Sequence, residues 1–413
     1  MADKKVALVL GGTVPHISLV KKLKDRGFYV ILLDYLDNPP AKQYADEHIK
    51  ESTLDKDAVL TIAKIRNAQL VISTCIDQAN STCCYVAEKL GLAHPYSYQT
   101  SLDVTDKGRM KKIMCEKGIP TSSYTLVKSI EEINWSEISF PAVVKPVDCN
   151  SSKGVHRVDS QEETKNRVQE ALELSRTKTA IIEGYNQGFE IQVDCVSTSG
   201  GVKVALTRQK QKIIGQEHSM VLQSYGSIFP APLSDALSQQ AQEIAKKIAD
   251  AFDLKNTPFF YQAIVTKNGI QVLEFAPRIG GGLSYYVLKA FANYDAVECA
   301  IDSFMGIDIS VTPTKQELMH STNIIYMKPG VFDHIEGLEE QKEKGNLSEF
   351  FISKEKGSVV DADMRSSNRI ASFIVEGFSY EEIAKKAATV FSKIKVLDPN
   401  GISLLNKSIY PLV

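Results

Sequence analysis

The chain opens on a pattern that few folds accommodate. Val6 to Leu10 is a continuous apolar run, Gly11-Gly12-Thr13 breaks it, Ile17 to Arg26 has helical spacing and ends at Gly27, and Tyr29 to Asp34 is a second apolar run. Strand, turn, helix, strand is a βαβ unit, and its crossover makes the two strands parallel in one sheet. Leu70 to Thr74 continues the sheet and Ser81 to Leu90, closed by Gly91, follows as a helix, so about the first 100 residues predict an open α/β domain. Such domains hold phosphates at a helix N-terminus. Asp34 at the second strand end suits dinucleotide binding, but Val14, Pro15 and His16 stand where G-x-G-x-x-G requires its later glycine. An NAD-dependent oxidoreductase therefore rests on this unit alone.

Farther along, hairpins mix with helices in an α+β pattern. A helix is expected from Thr105 to Lys117, short strands at Tyr124 to Val127 and Ala142 to Lys145, and a polar amphipathic helix from Asp159 to Ser175. Thr179 to Glu183, Glu190 to Val196 and Lys203 to Thr207 predict strands, the last two joined across Ser199-Gly200-Gly201. Leu237 to Phe252 predicts a helix, and Tyr261 to Thr266 and Ile270 to Phe275 a hairpin through Asn268-Gly269. A helix follows from Ala296 to Met305. Beyond Pro313, strands at Thr322 to Met327, near Ser358 and at Ile370 to Glu376, with a helix from Tyr380 to Lys393, form a third, smaller α+β unit. A length of 413 residues agrees with two to three domains.

Charge and composition exclude several partners. Forty-eight basic against fifty acidic residues leave a net charge of -2, so no global field favours nucleic acid or an acidic membrane. The first apolar run is too short for a signal peptide, and no run approaches the roughly 18 residues of a membrane span. Seven cysteines, odd in number and without a Cys-x-x-Cys pair, indicate neither a disulfide framework nor a zinc site. A soluble cytoplasmic protein is expected.

The middle of the chain carries the chemistry as an ordered series. Lys107 follows Asp106 at a helix start, and Lys145 ends the apolar strand before Pro146. Taken singly, Lys107 reads as a snorkelling side chain, while Lys145 is evenly balanced between that and a ligand contact. The polar loop Val147 to Val155, with Asn150, Ser151, Ser152 and Gly154, has the composition of a phosphate cover or of an ordinary surface hairpin. Glu183 and Glu190 bracket Gly184-Tyr185-Asn186-Gln187-Gly188-Phe189; Glu183 suits an adenine amino group and Glu190 ribose hydroxyls, although acids at surface hairpins are common. Gln262 and Glu274 face each other across the Asn268-Gly269 hairpin and offer hard oxygens for Mg²⁺. Arg278 then stands on a turn with Gly280, Gly281 and Gly282, an arginine fork where the backbone approaches something closely.

In this order the motifs resemble the ATP-grasp superfamily, in its biotin carboxylase and carbamoyl phosphate synthetase branch. Glu274-Phe275-Ala276-Pro277-Arg278-Ile279-Gly280-Gly281-Gly282 is especially similar to ligases acting on amino acids. The resemblance implies a Rossmann-like pre-ATP-grasp domain over residues 1–100, an ATP-grasp domain over 101–310 with a lid at about 120–182, and a small C-terminal α+β domain over 311–413. It implies ATP as substrate with Mg²⁺, or Mn²⁺, as metal. Lys107, Lys145, Ser151 and Ser152 would then serve the phosphates, Glu183, Gly184, Tyr185 and Asn186 the adenine, and Glu190 the ribose. Gln262 and Glu274 would bind metal, and Arg278 would hold a carboxylate or acyl phosphate, with Gly281 and Gly282 beside the substrate. His218, in Gln216-Glu217-His218-Ser219-Met220, is a further substrate candidate, or a structural or exposed histidine.

The sequence departs from the family pattern in three places. Gln262 stands where most members have Glu, Ala276 replaces an Asn that often completes the metal shell, and the phosphate loop has one glycine, Gly154. The implied reaction is ATP-dependent joining of a carboxylate to an amine, with small molecules as substrates and a homodimer as the expected assembly. Two other readings stand beside it: a carboxylase working through carboxyphosphate, and a nucleotide-binding regulatory protein without turnover, which Gln262 and Ala276 favour.

Overall fold

A computed structural model describes residues 4–149, 153–213, 224–314, 316–361 and 368–410. The first domain is the expected open α/β unit. Its strands β1 (Val6–Leu10), β2 (Tyr29–Asp34), β3 (Glu47–Lys50) and β4 (Ala68–Ile72) form a parallel sheet in the order β3-β2-β1-β4. Helices α1 (Val14–Asp25), α2 (Lys56–Ile65) and α3 (Asp77–Leu90) connect it. Ala7 to Leu10 and Val30 to Leu33 are almost fully buried, which is why these strands are apolar without alternation.

The helix expected from Thr105 to Lys117 is present as α5 (Lys107–Glu116), and a separate helix, α4 (Tyr98–Thr105), precedes it. Asp106 takes an extended conformation between them, and its carboxylate accepts a hydrogen bond from Arg109 N at 2.9 Å. An N-cap aspartate satisfies a free amide of a new helix, so Asp106 sets where α5 begins.

A small antiparallel sheet follows, built from β5 (Tyr124–Val127), β6 (Ala142–Pro146), β7 (His156–Val158) and β8 (Ala180–Gly184) in the order β5-β8-β6-β7. Helix α6 (Gln161–Leu174) packs Val168 and Ala171 into a separate core with Val144 and Ile182.

The large sheet contains β9 (Phe189–Thr198), β10 (Gly201–Lys212), β11 (Ser224–Phe229), β12 (Thr257–Thr266) and β13 (Gly269–Ala276). Helix α7 (Asp235–Ala251) covers one face, burying Ile244 and Ile248 with Ile191 and Val193. Helices α8 (Ser284–Ala292) and α9 (Ala296–Phe304) follow. Strand β10 runs past the expected Thr207 to Lys212, a difference with consequences for the site.

The C-terminal segment adds β14 (Met319–Ile325), β15 (Gly330–Val331), β16 (His334–Glu336), α10 (Leu338–Glu343), β17 (Glu349–Ile352), β18 (Val359–Val360), β19 (Ala371–Gly377), α11 (Tyr380–Lys393) and β20 (Lys395–Leu397). Three of these strands extend the large sheet, giving eight antiparallel strands in the order β13-β12-β9-β10-β11-β14-β19-β17, while β15 pairs with β18 and β16 with β20. Residues on both sides of position 310 thus share one sheet.

The first domain is fixed against α9. Lys22 reaches Asp295 and Glu298 at 2.8 and 2.9 Å, and Arg26 reaches Glu298 and Asp302 at 2.5 and 2.7 Å. Leu19, Val287 and Ile301 belong to one continuous apolar core beneath these pairs. The strand ends of the first domain are thereby held over the turn that follows β13.

Candidate active site

Antiparallel pairing places Arg208 opposite Gln192, Gln192 opposite Gln262, and Gln262 opposite Glu274. Directly paired residues share a face, so four polar side chains form a row across β10, β9, β12 and β13. Glu274 ends this row and keeps 41 % of its side chain exposed. Lys107, at the first turn of α5, brings its Nζ to 3.8 Å from Glu274 Oε2 and donates to the carbonyl of Cys149 at 2.6 Å. The row therefore ends under the loop expected to cover phosphates. Ser151 and Ser152 of that loop lie outside the described residues, as does His218.

Gln262 joins the carboxylate indirectly. Oriented by its hydrogen bonds, its amide nitrogen donates to Glu274 Oε1 at 3.3 Å and its oxygen accepts from Lys210 Nζ at 3.0 Å. Offering that oxygen to a cation beside Glu274 requires the amide to turn over, so Glu274 is the better placed of the two expected metal ligands. Among the described residues no cluster of three or more His, Cys, Asp or Glu forms a ready metal cage. One exposed carboxylate next to a lysine suits Mg²⁺, which takes few protein ligands and shares phosphate oxygens.

Lys145 approaches from the small sheet, diagonally across from Glu183, with Nζ 3.0 Å from Glu183 Oε1. Lys111, one helical turn after Lys107, reaches the same oxygen at 3.2 Å and donates to Thr121 Oγ1 at 2.8 Å. Glu183 is 3 % exposed, and its Oε1 is held by charge rather than by well-angled hydrogen bonds. Burial pushes the Glu183 carboxyl up, but the two lysines outweigh it and hold it low. Burial pushes the Lys111 ammonium down, against the pull of Glu183. The Glu183 side chain expected at adenine is thus turned inward as the counter-ion of two lysines.

The following turn is braced inside the protein as well. Gly184 N donates to Ser123 O at 3.0 Å, Tyr185 N to Pro141 O at 3.2 Å and Asn186 Nδ2 to Ser122 Oγ at 2.7 Å. Tyr185 stacks against the Arg157 guanidinium, 4.9 Å from its ring centre. Residues 183–186 form a firm hinge whose amide donors at 184 and 185 are already used.

Glu190, expected at ribose, is paired with Lys210 at 2.6 Å and also with Lys212. Burial pushes its carboxyl up, yet the two lysines bring it down to about 2. In the same way Asp194 accepts from Arg208 Nε and Nη2 at 2.9 and 2.8 Å and from Gln192 Nε2 at 2.9 Å. Alternation along Arg208-Gln209-Lys210-Gln211-Lys212 puts three cations on one face of β10, facing Glu190, Gln192 and Asp194 of β9. That alternation was the available signal for a longer, functional strand.

The Arg278 fork is engaged by the first domain. Its Nε and Nη2 grip both oxygens of Asp77, while Nη1 donates to Ile279 O at 2.9 Å and the guanidinium lies 5.2 Å from the Phe260 ring centre. Asp77 begins α3, and no local pattern marks it. The three glycines that follow differ in role. A Cβ on Gly280 would stand 2.6 Å from Ser284 Oγ and 2.7 Å from Gln192 Nε2, so that glycine serves internal packing. Gly282 has a φ of +61, and a Cβ on Gly281 would meet nothing within 4 Å among the described residues. Gly281 and Gly282 are exposed, which leaves this side of the turn open to a ligand.

Comparison with known proteins agrees with this geometry. Residues 105–282 match the family model of the phosphoribosylglycinamide synthetase ATP-grasp (A) domain. This stretch is similar to an ATP-grasp domain. Residues 323–397 match the L-amino acid ligase C-terminal domain 2. The chain is 27% identical over 250 residues to a formate-dependent phosphoribosylglycinamide formyltransferase of Methanocaldococcus jannaschii, covering 59% of this chain and 62% of that one. It is 23% identical over 344 residues to an L-arginine-specific L-amino acid ligase of Bacillus subtilis, covering 79% and 80%. A crystal structure of L-amino acid ligase from Bacillus licheniformis superposes with a TM-score of 0.79 at 18% identity, covering 96% of this chain and 99% of that one. The expected fold, with its Rossmann-like first domain and ATP-grasp centre, is the one observed.

Proposed function

We propose that this protein is an ATP- and Mg²⁺-dependent carboxylate–amine ligase that makes an amide or peptide bond through an acyl phosphate, acting on an amino acid or another small carboxylate. The observation that carries this reading is the meeting of Lys107 and Glu274, 3.8 Å apart beneath the loop at Cys149. It pairs a phosphate cation with a metal carboxylate at one end of a polar row. The L-amino acid ligase match over 323–397 favours amino acids as substrates.

In this reading Lys107 and Lys145 take oxygens of the ATP phosphates, and Glu183, 3.0 Å from Lys145 Nζ, orients that lysine. Glu274 holds Mg²⁺, which when bound supplies positive charge to the transferring phosphoryl group. A carboxylate oxygen of the acid attacks the γ-phosphorus and ADP leaves; the amine then attacks the acyl carbon and phosphate leaves with that oxygen. Arg278 acts as a positioning residue, fastening the turn of Gly281 and Gly282 to the first domain through Asp77. A reducing compartment such as the cytoplasm fits the seven free thiols.

The test is phosphate release from ATP and Mg²⁺ with amino acids and small carboxylates, singly and in pairs. A pair-dependent release of ADP and phosphate that Glu274→Ala abolishes supports the ligase. Release with bicarbonate and one amine alone supports the carboxylase, and ATP binding without release under any pair supports the regulatory reading.

A further inference from the structure

The first domain contributes a side-chain cluster that the ligase reading leaves unused. Ser73, Thr74 and Cys75 follow β4, and Thr13 and His16 stand at the start of α1. The His16 ring is completely buried, with Nδ1 2.8 Å from Thr13 Oγ1 and Nε2 3.2 Å from Ser73 Oγ. Gly11 passes beside it at a φ of +98, and a Cβ there would lie 3.2 Å from His16 Cε1, so the ring is confined. Cys75 is half-buried, its Sγ 3.5 Å from Thr13 Oγ1 and 3.8 Å from His16 Nδ1. Facing it, Ile279 N donates to Thr74 O at 3.1 Å and sets the Arg278 turn against the strand end. Thr74 is 2 % exposed and its hydroxyl has no hydrogen-bond partner among the described residues, an unsatisfied polar atom one residue from the thiol.

Cys75 differs in setting from the other cysteines. Burial pushes its thiol up, but the charge of His16, the hydrogen bonds of His16 and Thr13 and the charge of Arg278 bring it down to about 7. The charged groups around it are His16 from α1 and Arg278 with its partner Asp77 from α3. Cys83, Cys84, Cys195 and Cys299 are buried and pushed up, Cys149 is also pushed up, and Cys115 is exposed. A partly reachable cysteine beside a histidine and an arginine has the surroundings of a reactive thiol.

We propose that Cys75 is a modification site for small disulfides, and that its adduct stands beside the Arg278 turn, which Ile279 N ties to Thr74 O. The Cys75 thiolate attacks one sulfur of the disulfide; a new S–S bond forms to Sγ, the original S–S bond breaks, and the other half leaves as a thiolate. Loss of ligation on modification rests on the ligase reading. Formation of the adduct does not.

The experiment treats the full chain with 2-hydroxyethyl disulfide between pH 5.5 and 9.5 and maps adducts by peptide mass spectrometry. The Cys75 rate is expected to reach half its plateau near pH 7, below the ordinary thiol value of about 8.5, with the adduct on exposed Cys115 mapped alongside. At pH 7 the thiolate fraction gives Cys75 an intrinsic advantage of about threefold over an ordinary free thiol after allowing for its lower nucleophilicity. His16→Gln moves the Cys75 midpoint upward and leaves that of Cys115 in place. A Cys75 midpoint above pH 8, or adducts on Cys115 and Cys149 with none on Cys75, overturns the proposal without the variant. With a working substrate pair, the adduct stops phosphate release in the wild type but not in Cys75→Ser; full activity of the modified wild type overturns the claim that the adduct stands beside the Arg278 turn. Should no pair support release, the ligase reading fails while the adduct map still decides this one.

Discussion

Arg278 grips both carboxylate oxygens of Asp77, Nε to Oδ1 at 2.5 Å and Nη2 to Oδ2 at 2.6 Å, and so ties the turn after β13 to the start of α3. Both side chains are largely buried, at 14% and 17% exposure. Removing one partner leaves the other charge uncompensated in a poor solvent, a loss of about 3 kcal/mol. Asp77→Ala is expected to lower the unfolding free energy in urea by that amount and to raise KM for the acid substrate more than it lowers kcat. Wild-type stability and KM in Asp77→Ala would show that the pair positions nothing.

Lys111, Lys145 and Glu183 make a buried group of two cations and one anion. Losing a cation leaves a balanced pair, whereas losing the anion leaves two like charges together. Lys111→Met is therefore expected to change stability by less than about 1 kcal/mol, and Glu183→Gln to cost about 3 kcal/mol and raise KM for ATP at least about tenfold. Urea unfolding and ATP titration check both. Equal stability losses in the two variants would contradict the charge balance.

Glu190 gives a pH dependence of defined sign. Its carboxyl is held at about 2 in the fold against 4.5 ordinarily, so its contribution is fully present above about pH 4.5 and is lost as pH falls toward 2. The shift corresponds to about 3 kcal/mol at neutral pH. Unfolding free energies of wild type and Glu190→Gln are expected to differ by that amount at pH 7 and to converge near pH 2. A gap that stays constant over this range would mean that Lys210 and Lys212 do not hold the carboxylate.

The glycines after Arg278 separate packing from ligand approach. Gly280→Ala forces a Cβ against Ser284 and Gln192, which also bond the Arg208–Asp194 pair, and is expected to cost about 1–3 kcal/mol. Gly281→Ala is expected to leave Tm unchanged and to raise KM for one substrate, because its Cβ would meet nothing within 4 Å among the described residues. Thermal melts and kinetics of the two variants decide it; a destabilised Gly281→Ala with unchanged KM would remove the substrate from this turn.

Local motifs were readable in the sequence and partnerships were not. The βαβ unit, the Asn268-Gly269 hairpin and the Gln262–Glu274 pairing follow from periodicity and turn chemistry, and all three are present in the structure. Lys107 and Glu274 could be named separately because each lies in its own motif. Lys111 was missed because a lysine on a polar helix usually faces water, although its spacing of four from Lys107 put both on one face. Asp77 was missed because its role comes from contact between two domains far apart in the chain. Glu183 and Glu190 were named from their own turn, but their lysine partners sit on other elements, so those pairings were not legible locally.

The most direct measurement follows oxygen. An amino acid labelled with ¹⁸O in its carboxylate is supplied with ATP, Mg²⁺ and an amine partner found by the substrate panel, and the released phosphate is analysed by mass spectrometry. An acyl phosphate requires one labelled oxygen in the phosphate for each amide formed, with ADP as the other product. Unlabelled phosphate, or AMP with pyrophosphate, would contradict the account.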